Sequence, residues 1–244
     1  MKKRLRKTVL VTGGSRGIGE ACADLFFKSG ANVVIISRTA RELNKTAQRI
    51  SASGADGRML ALSGDVSDES FVQKIFAAAR LRFGRIDVLI NNAAILIAKR
   101  FPMLSVGDWD ETMAVNLRGP FLCAREFFLQ FDKTGSRSQG IVINITSLGG
   151  IQDTPKFPGM SAYVVSKFGI TGLTEALAVE GREYGIDCIG VAPGAVDTSM
   201  LRKAAPHLKP GAGPGNIARV VLELAESGSS SLLNGTTIRL DTNL

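Results

Sequence analysis

Histidine is almost missing from this chain of 244 residues: His207 is the only one. Serine–histidine–aspartate triads and histidine-rich metal sites therefore lack the residue they are built on, and no metal site is expected. Cysteine is scarce as well. Cys22, Cys123 and Cys188 are odd in number, far apart and set in apolar helix or strand patterns, which suits buried free thiols rather than disulfides, metal ligands or nucleophiles. No apolar run approaches the roughly 18 residues of a membrane span. The opening "MKKRLRKTVLVTGG" passes from charge into a glycine turn without a small-residue cleavage site. A cytoplasmic protein with no membrane partner is the expectation.

Positive charge is in excess, at a net +8, but Lys2, Lys3, Arg4, Arg6 and Lys7 supply five of those charges and leave +3 for everything else. No aromatic residues interleave them, as they would in a nucleic-acid-binding arm. Residues 1–7 read as a solvated, frayed basic tail, and no nucleic-acid partner is expected.

What the chain does have is core material: 45% of it is hydrophobic, enough for one large domain over residues 8–244. Seven strand-like runs recur, "KTVLV", "ANVVIIS", "RMLALSG", "RIDVLIN", "GIVINIT", "GIDCIGVA" and "GTTIRL", mostly separated by stretches with helical apolar spacing. Nearly continuous apolar strands alternating with helices predict one α/β domain, a doubly wound parallel sheet of about seven strands with helices on both faces. The segment 197–215, with "HLKPGAGPG", is too rich in proline and glycine to be helical throughout, and reads as a loop over a site.

The stretch "VTGGSRGIG", Val11 to Gly19, lies between the first strand and a helix-like "GEACADLFFKSG". Bare backbone at a helix N-terminus lets N–H groups and the positive dipole end approach a phosphate. Its spacing is wider than the general Gly-x-Gly-x-x-Gly fingerprint, and alone it could be a plain connecting turn. Context favours the phosphate cradle. In an open parallel sheet, ligands bind beyond the carboxyl ends of the strands, where this sequence places Ser37-Arg38, Asp65-Val66, "NNAA" (Asn91 to Ala94), Ser147 and "PGAVDT" (Pro193 to Thr198).

Taken together, "TGGSRGIG", "DVSD", "NNAA", "ITSLGG", "SAYVVSK" and "PGAVDT", in this order and spacing, resemble the short-chain dehydrogenase/reductase family from about Thr8 to Leu240. The resemblance implies a Rossmann-type domain and hydride transfer between a nicotinamide cofactor and a carbonyl or alcohol. It implies Tyr163 as the proton donor to the carbonyl oxygen, Ser147 as a hydrogen-bond donor to that oxygen, Lys167 on the nicotinamide ribose and Asn116, in "MAVNLRGPF", as support for a water relay. The implied cofactor-binding set is Gly13, Ser15, Arg16, Gly17, Ile18, Gly19, Ser37, Arg38, Asp65, Val66, Asn92, Ala93, Ala94, Tyr163, Lys167, Pro193, Gly194, Val196 and Thr198. Tyr163 and Lys167 stand at i and i+4, so they share a helix face, and a nearby ammonium would favour the ionised phenol. A homo-oligomer, tetramer or dimer, is also implied. Two departures stand out. Fifteen residues, "LGGIQDTPKFPGMSA", separate Ser147 from Tyr163, a few more than is usual in the family, which implies an extended active-site wall, and the ending "IRLDTNL" lacks the common glycine pair.

Cofactor choice is read at the end of the second strand. An acidic residue about 20 positions past the glycine turn marks NAD(H) preference, because it accepts from the ribose 2′-hydroxyl. Arg38 occupies that place, nineteen positions after Gly19, and with Arg16 it suits the 2′-phosphate of NADP(H). The expectation is an NADP(H)-dependent reductase of carbonyls, 3-oxoacyl thioesters among them. A non-catalytic dinucleotide sensor of the same fold and a nucleic-acid binder are the alternatives.

Overall fold

The structure, a computed structural model, describes residues 6–54, 57–132, 140–206, 208–226 and 230–242. Lys2, Lys3, Arg4 and His207 lie outside them. In chain order the elements are β1 (Thr8–Thr12), α1 (Gly17–Lys28), β2 (Asn32–Ser37), α2 (Ala40–Ser51), β3 (Arg58–Ser63), α3 (Glu69–Phe83), β4 (Val88–Asn91), α4 (Val106–Met113), α5 (Gly119–Phe128), β5 (Gly140–Ile145), α6 (Ser161–Glu180), β6 (Ile186–Pro193), α7 (Ser199–Ala204), α8 (Pro214–Glu226) and β7 (Thr237–Leu240).

All seven apolar runs are strands of one sheet in the order β3-β2-β1-β4-β5-β6-β7, with every pair parallel. Alternate side chains of each strand point to opposite faces, and the two cores follow that alternation. Val9, Val11, Val33, Ile35, Val88 and Ile90 pack under Phe26, Leu43 and Val221 of α1, α2 and α8. Leu10, Val34, Ile36, Leu89 and Val142 pack under Ile75, Phe127 and Ala178 of α3, α5 and α6. Burial on both faces is why the strands carry no polar alternation. Cys22, Cys123 and Cys188 are free and buried in these layers. Among the described residues no helix is long and apolar enough to cross a membrane.

Successive strands are added in one direction from β1 to β3 and in the opposite direction from β4 onward, and this switch between β1 and β4 opens the crevice in which open sheets bind ligands. The irregular stretch before α8 departs from the expected loop, because residues Ser199–Ala204 form the short helix α7, whose first turn is capped by the Thr198 hydroxyl accepting from Leu201 N–H. Lys7 also departs from the frayed-tail reading: its ammonium donates to the Ala225 carbonyl at 2.7 Å, and its own carbonyl accepts from Asn32.

Candidate active site

One cavity of about 350 Å³ opens along the carboxyl ends of β1, β2, β3, β4, β5 and β6. With two exceptions, every residue proposed from sequence lines it. At one end lies the glycine turn. Gly13 has φ of 67°, where a side chain is strained, and a Cβ there would come within 2.9 Å of the Ala93 Cα and the Asn92 amide nitrogen. The turn feeds α1, whose first N–H groups have no intrahelical acceptor. Gly19 is the first exception. It faces away from the cavity, and its Cβ would stand 2.3 Å from the Gly13 carbonyl oxygen, so its absence lets helix and turn touch.

β2 delivers Ser37 and Arg38 beside that turn. The Ser37 hydroxyl is buried without a hydrogen-bond partner, an atom that protein groups leave unsatisfied and that a sugar or phosphate oxygen could satisfy. Arg38 is exposed and lies 3.6 Å from the Glu111 carboxylate, both half in solvent, a pairing weak enough to yield to a stronger anion. Arg16 is exposed at the same end, and among the described residues no carboxylate pairs with it. At the β3 end, Asp65 accepts from the Ser67 N–H and hydroxyl at 2.8 Å each, which fixes that turn.

Thr12 holds the floor together, and sequence reasoning missed it. Its hydroxyl accepts from the N–H groups of Asn92 and Ala93 at 2.9 Å, while the Asn92 amide donates to the Thr12 carbonyl at 2.9 Å. A polar residue closing an otherwise apolar strand beside the glycine turn was the available signal. A glycine turn, an unsatisfied hydroxyl and two arginines on one cavity fit a phosphorylated dinucleotide.

The other end carries the chemistry. β5 ends at Ile145, and Ser147 follows in extended backbone with its hydroxyl accepting from Gly149 N–H at 3.1 Å. α6 brings Tyr163 and Lys167 to the same wall, one turn apart. Burial pushes the Tyr163 phenol above its ordinary value, opposed by a hydrogen bond from Ser147. Lys167 is buried, and loss of hydration brings its ammonium down to about 8. In the cofactor-free protein the phenol therefore lies above its ordinary value, because burial dominates. The ammonium donates to the Ile145 carbonyl at 2.8 Å and sits 5.6 Å from the Tyr163 ring centroid, so burial governs both groups.

Asn116 is the second exception. It sits on a π-helical turn, Ala114–Arg118, between α4 and α5, a widening of the helix common at functional sites. Its buried amide is fully engaged: Oδ1 accepts from Ile95 N–H at 2.8 Å, and Nδ2 donates to the Ile95 carbonyl at 2.9 Å and the Ser166 hydroxyl at 3.0 Å. Ser166 in turn donates to the Tyr163 carbonyl at 2.7 Å. The Asn116 side chain therefore locks the strand β4 exit to the helix bearing Tyr163.

The remaining wall is formed by Leu148, Pro155, Phe157 and Met160 of the long segment between Ser147 and Tyr163, whose length signalled it, and by Met200 and Leu201 of α7, which no motif revealed. These apolar residues carry no recognisable spacing.

The model of the short chain dehydrogenase family matches residues 7–209. The 3β-hydroxysteroid dehydrogenase of Mediterraneibacter gnavus is 33% identical over 204 residues, 83% of this chain and 71% of that protein. The levodione reductase of Leifsonia aquatica is 34% identical over 206 residues, 84% of this chain and 74% of that protein. The solved 3-ketoacyl-(acyl-carrier-protein) reductase of Brucella melitensis, complexed with NADH, superposes with a TM-score of 0.87 at 28% identity over 98% of each chain. With its parallel sheet, glycine turn and family match over most of its length, this chain belongs to the short-chain dehydrogenase/reductase family of oxidoreductases.

Proposed function

We propose that the protein is an NADP(H)-dependent oxidoreductase that interconverts a carbonyl and an alcohol, with Ser147, Tyr163 and Lys167 as its reacting centre. The observation that carries this reading is their convergence on the same cavity as the glycine turn and Arg38. Bound nicotinamide supplies or accepts the hydride. In the reductive direction the Tyr163 hydroxyl gives its proton to the substrate oxygen as negative charge develops there, and the Ser147 hydroxyl donates a hydrogen bond to the same oxygen. The raised phenol keeps that proton in place at neutral pH. Lys167, fixed by the Ile145 carbonyl, holds positive charge close to the ring as the phenolate forms. Asn116 acts behind them as a positioning residue.

Arg38 and Arg16 support NADP(H) over NAD(H), since paired guanidinium donors suit a 2′-phosphate and the position directly after β2 is Arg38 rather than a carboxylate. One hydrogen bond to a charged group contributes roughly 1.5–3 kcal/mol, or about tenfold and more in preference. The test is kcat/KM with each cofactor. The wild type should prefer NADP(H) by about tenfold or more, and Arg38→Asp should abolish or reverse that preference. A wild type favouring NAD(H), or a variant with unchanged preference, would overturn the assignment.

A homo-oligomer, tetramer or dimer, is part of the same proposal. Phe121 on α5, Leu129 at its C-terminal end, and Val165, Phe168 and Val179 on α6 are exposed apolar side chains, more than an isolated surface helix needs to show. Light scattering at micromolar protein should give at least twice the 25.9 kDa chain mass, and a monomer mass would contradict it.

A further inference from the structure

The segment between Ser147 and Tyr163 builds one side of the cavity, and a single ammonium ties its middle together. Lys156 Nζ donates to the Ile151 carbonyl at 2.6 Å, the Thr154 carbonyl at 3.0 Å and the Thr154 hydroxyl at 2.6 Å. Those are all three of its donors. The same ammonium lies 5.2 Å from the Phe168 ring centroid, over its face. Around it the chain folds tightly: Thr154 is buried and also donates to the Ile151 carbonyl, and Asp153 adopts a left-handed φ of 58°, which a short polar side chain tolerates. The far end is tied by Lys99 N–H donating to the Gly159 carbonyl at 3.0 Å. So folded, the segment presents Pro155, Phe157 and Met160 to the cavity, opposite Met200 and Leu201.

Charge is divided unevenly along the cavity. Arg16, Arg38, Glu42 and Asp65 belong to the glycine-turn half. Among the described lining residues of the catalytic half, the cations are Lys167, which gives one donor to the Ile145 carbonyl and belongs to the reacting centre, and Lys156, whose donors are spent within the wall. Beyond Lys167 in the reacting centre, no cation with free donors stands among the described lining residues of this half to receive a carboxylate or phosphate carried by the substrate, and an unpaired charge entering an apolar pocket is strongly disfavoured. A polyol would leave most of its hydroxyl groups facing aliphatic and aromatic carbon, at a similar kind of cost.

We infer that the substrate is an uncharged, largely apolar ketone or its secondary alcohol, seated between Pro155, Phe157 and Met160 and the α7 residues Met200 and Leu201, with Lys156 as the positioning residue that holds this wall. The inference rests on the reading of Ser147, Tyr163 and Lys167 as the reacting centre and narrows what reaches it. Long acidic acyl carriers and sugar acids fall outside the class. Lys156 touches no substrate; it acts through the chain it clamps.

The test compares decalone, its carboxylated analogue and acetoacetyl-coenzyme A on the full-length protein. Binding is followed by calorimetry with NADP(H) present, and turnover by cofactor absorbance. Decalone should bind and be reduced, with the carboxylated analogue bound at least about tenfold more weakly. Lys156→Met should raise KM for decalone about tenfold with kcat nearly unchanged, and Lys156→Arg should restore most of it. Carboxylate or thioester bound as well as decalone, or decalone not bound at all, overturns the inference. So does an unchanged KM in Lys156→Met, or a fall in kcat alone. Decalone bound selectively yet never reduced sustains the substrate class and counts instead against the reacting centre.

Discussion

Lys167 is held at 3% exposure with its ammonium on one carbonyl, and that placement has a measurable signature. Its folded value of about 8 lies below the ordinary 10.5. Between those pH values the unfolded chain keeps the proton and the folded chain does not, so the Lys167 contribution to stability rises with pH across the window, and the full cost of burying the charge is present below it. The shift corresponds to about 3 kcal/mol. Burial raises all three thiols above 9.0, which makes their contribution fall with pH above that value, so the difference between wild type and Lys167→Met isolates the lysine. In urea unfolding of cofactor-free protein, the wild type should gain on the variant by about 1–3 kcal/mol from pH 7.5 to 10.5. Parallel profiles would contradict the account. The sequence made Tyr163 and Lys167 neighbours through their i, i+4 spacing, but not where the ammonium points, because the Ile145 carbonyl that captures it belongs to a distant strand end. Asn116 was legible as a motif member, while its engagement with Ile95 and Ser166 depends on a π-helical turn that has no periodicity to read.

Elements were legible in proportion to how continuously they are buried. β1, β2, β4, β5 and β6 are apolar over nearly their whole length and show as unbroken runs; β3 and β7, at the sheet edges, are only partly buried yet keep enough β-branched and aliphatic residues to stand out. α7 was hidden. Its six residues are too few for a helical period, and its Thr198 cap falls inside a stretch dominated by proline and glycine. The glycine turn was the reverse case, strong in sequence and precise in structure. There, Gly19→Ala would drive a Cβ to 2.3 Å from a backbone oxygen and 2.5 Å from the Asn92 amide, and backbone cannot swing aside. The turn must shift, at a cost of about 1–3 kcal/mol. The urea midpoint of the variant should fall and its affinity for NADPH should drop at least about tenfold, whereas an unchanged midpoint and affinity would show that helix and turn do not need this contact.

For the molecule as a whole, alternation of buried runs with helical stretches dictated a parallel sheet with two covered faces and pointed to the carboxyl ends of its strands as the ligand edge. The order β3-β2-β1-β4-β5-β6-β7 brings the glycine turn, Arg38, Ser147 and Tyr163 to one crevice although up to 150 residues separate them in the chain; the strand-end rule anticipated the first three there, and motif resemblance added Tyr163. The apolar wall of the catalytic half was signalled only by the length of the segment between Ser147 and Tyr163 and not by its residues, since packing against a substrate asks for shape rather than pattern. The central claim is that the phenolic proton of Tyr163 completes the reaction on a substrate placed by this crevice. Removing one hydroxyl leaves the cavity, the glycine turn and Lys167 in place, so Tyr163→Phe isolates the step. The measurement is kcat of Tyr163→Phe with NADPH and a ketone that the wild type reduces, alongside the NADPH dissociation constant of both proteins. The account predicts unchanged cofactor affinity and a turnover lower by about 10²–10⁴-fold; a folded variant that loses less than about tenfold would show that the proton comes from another group.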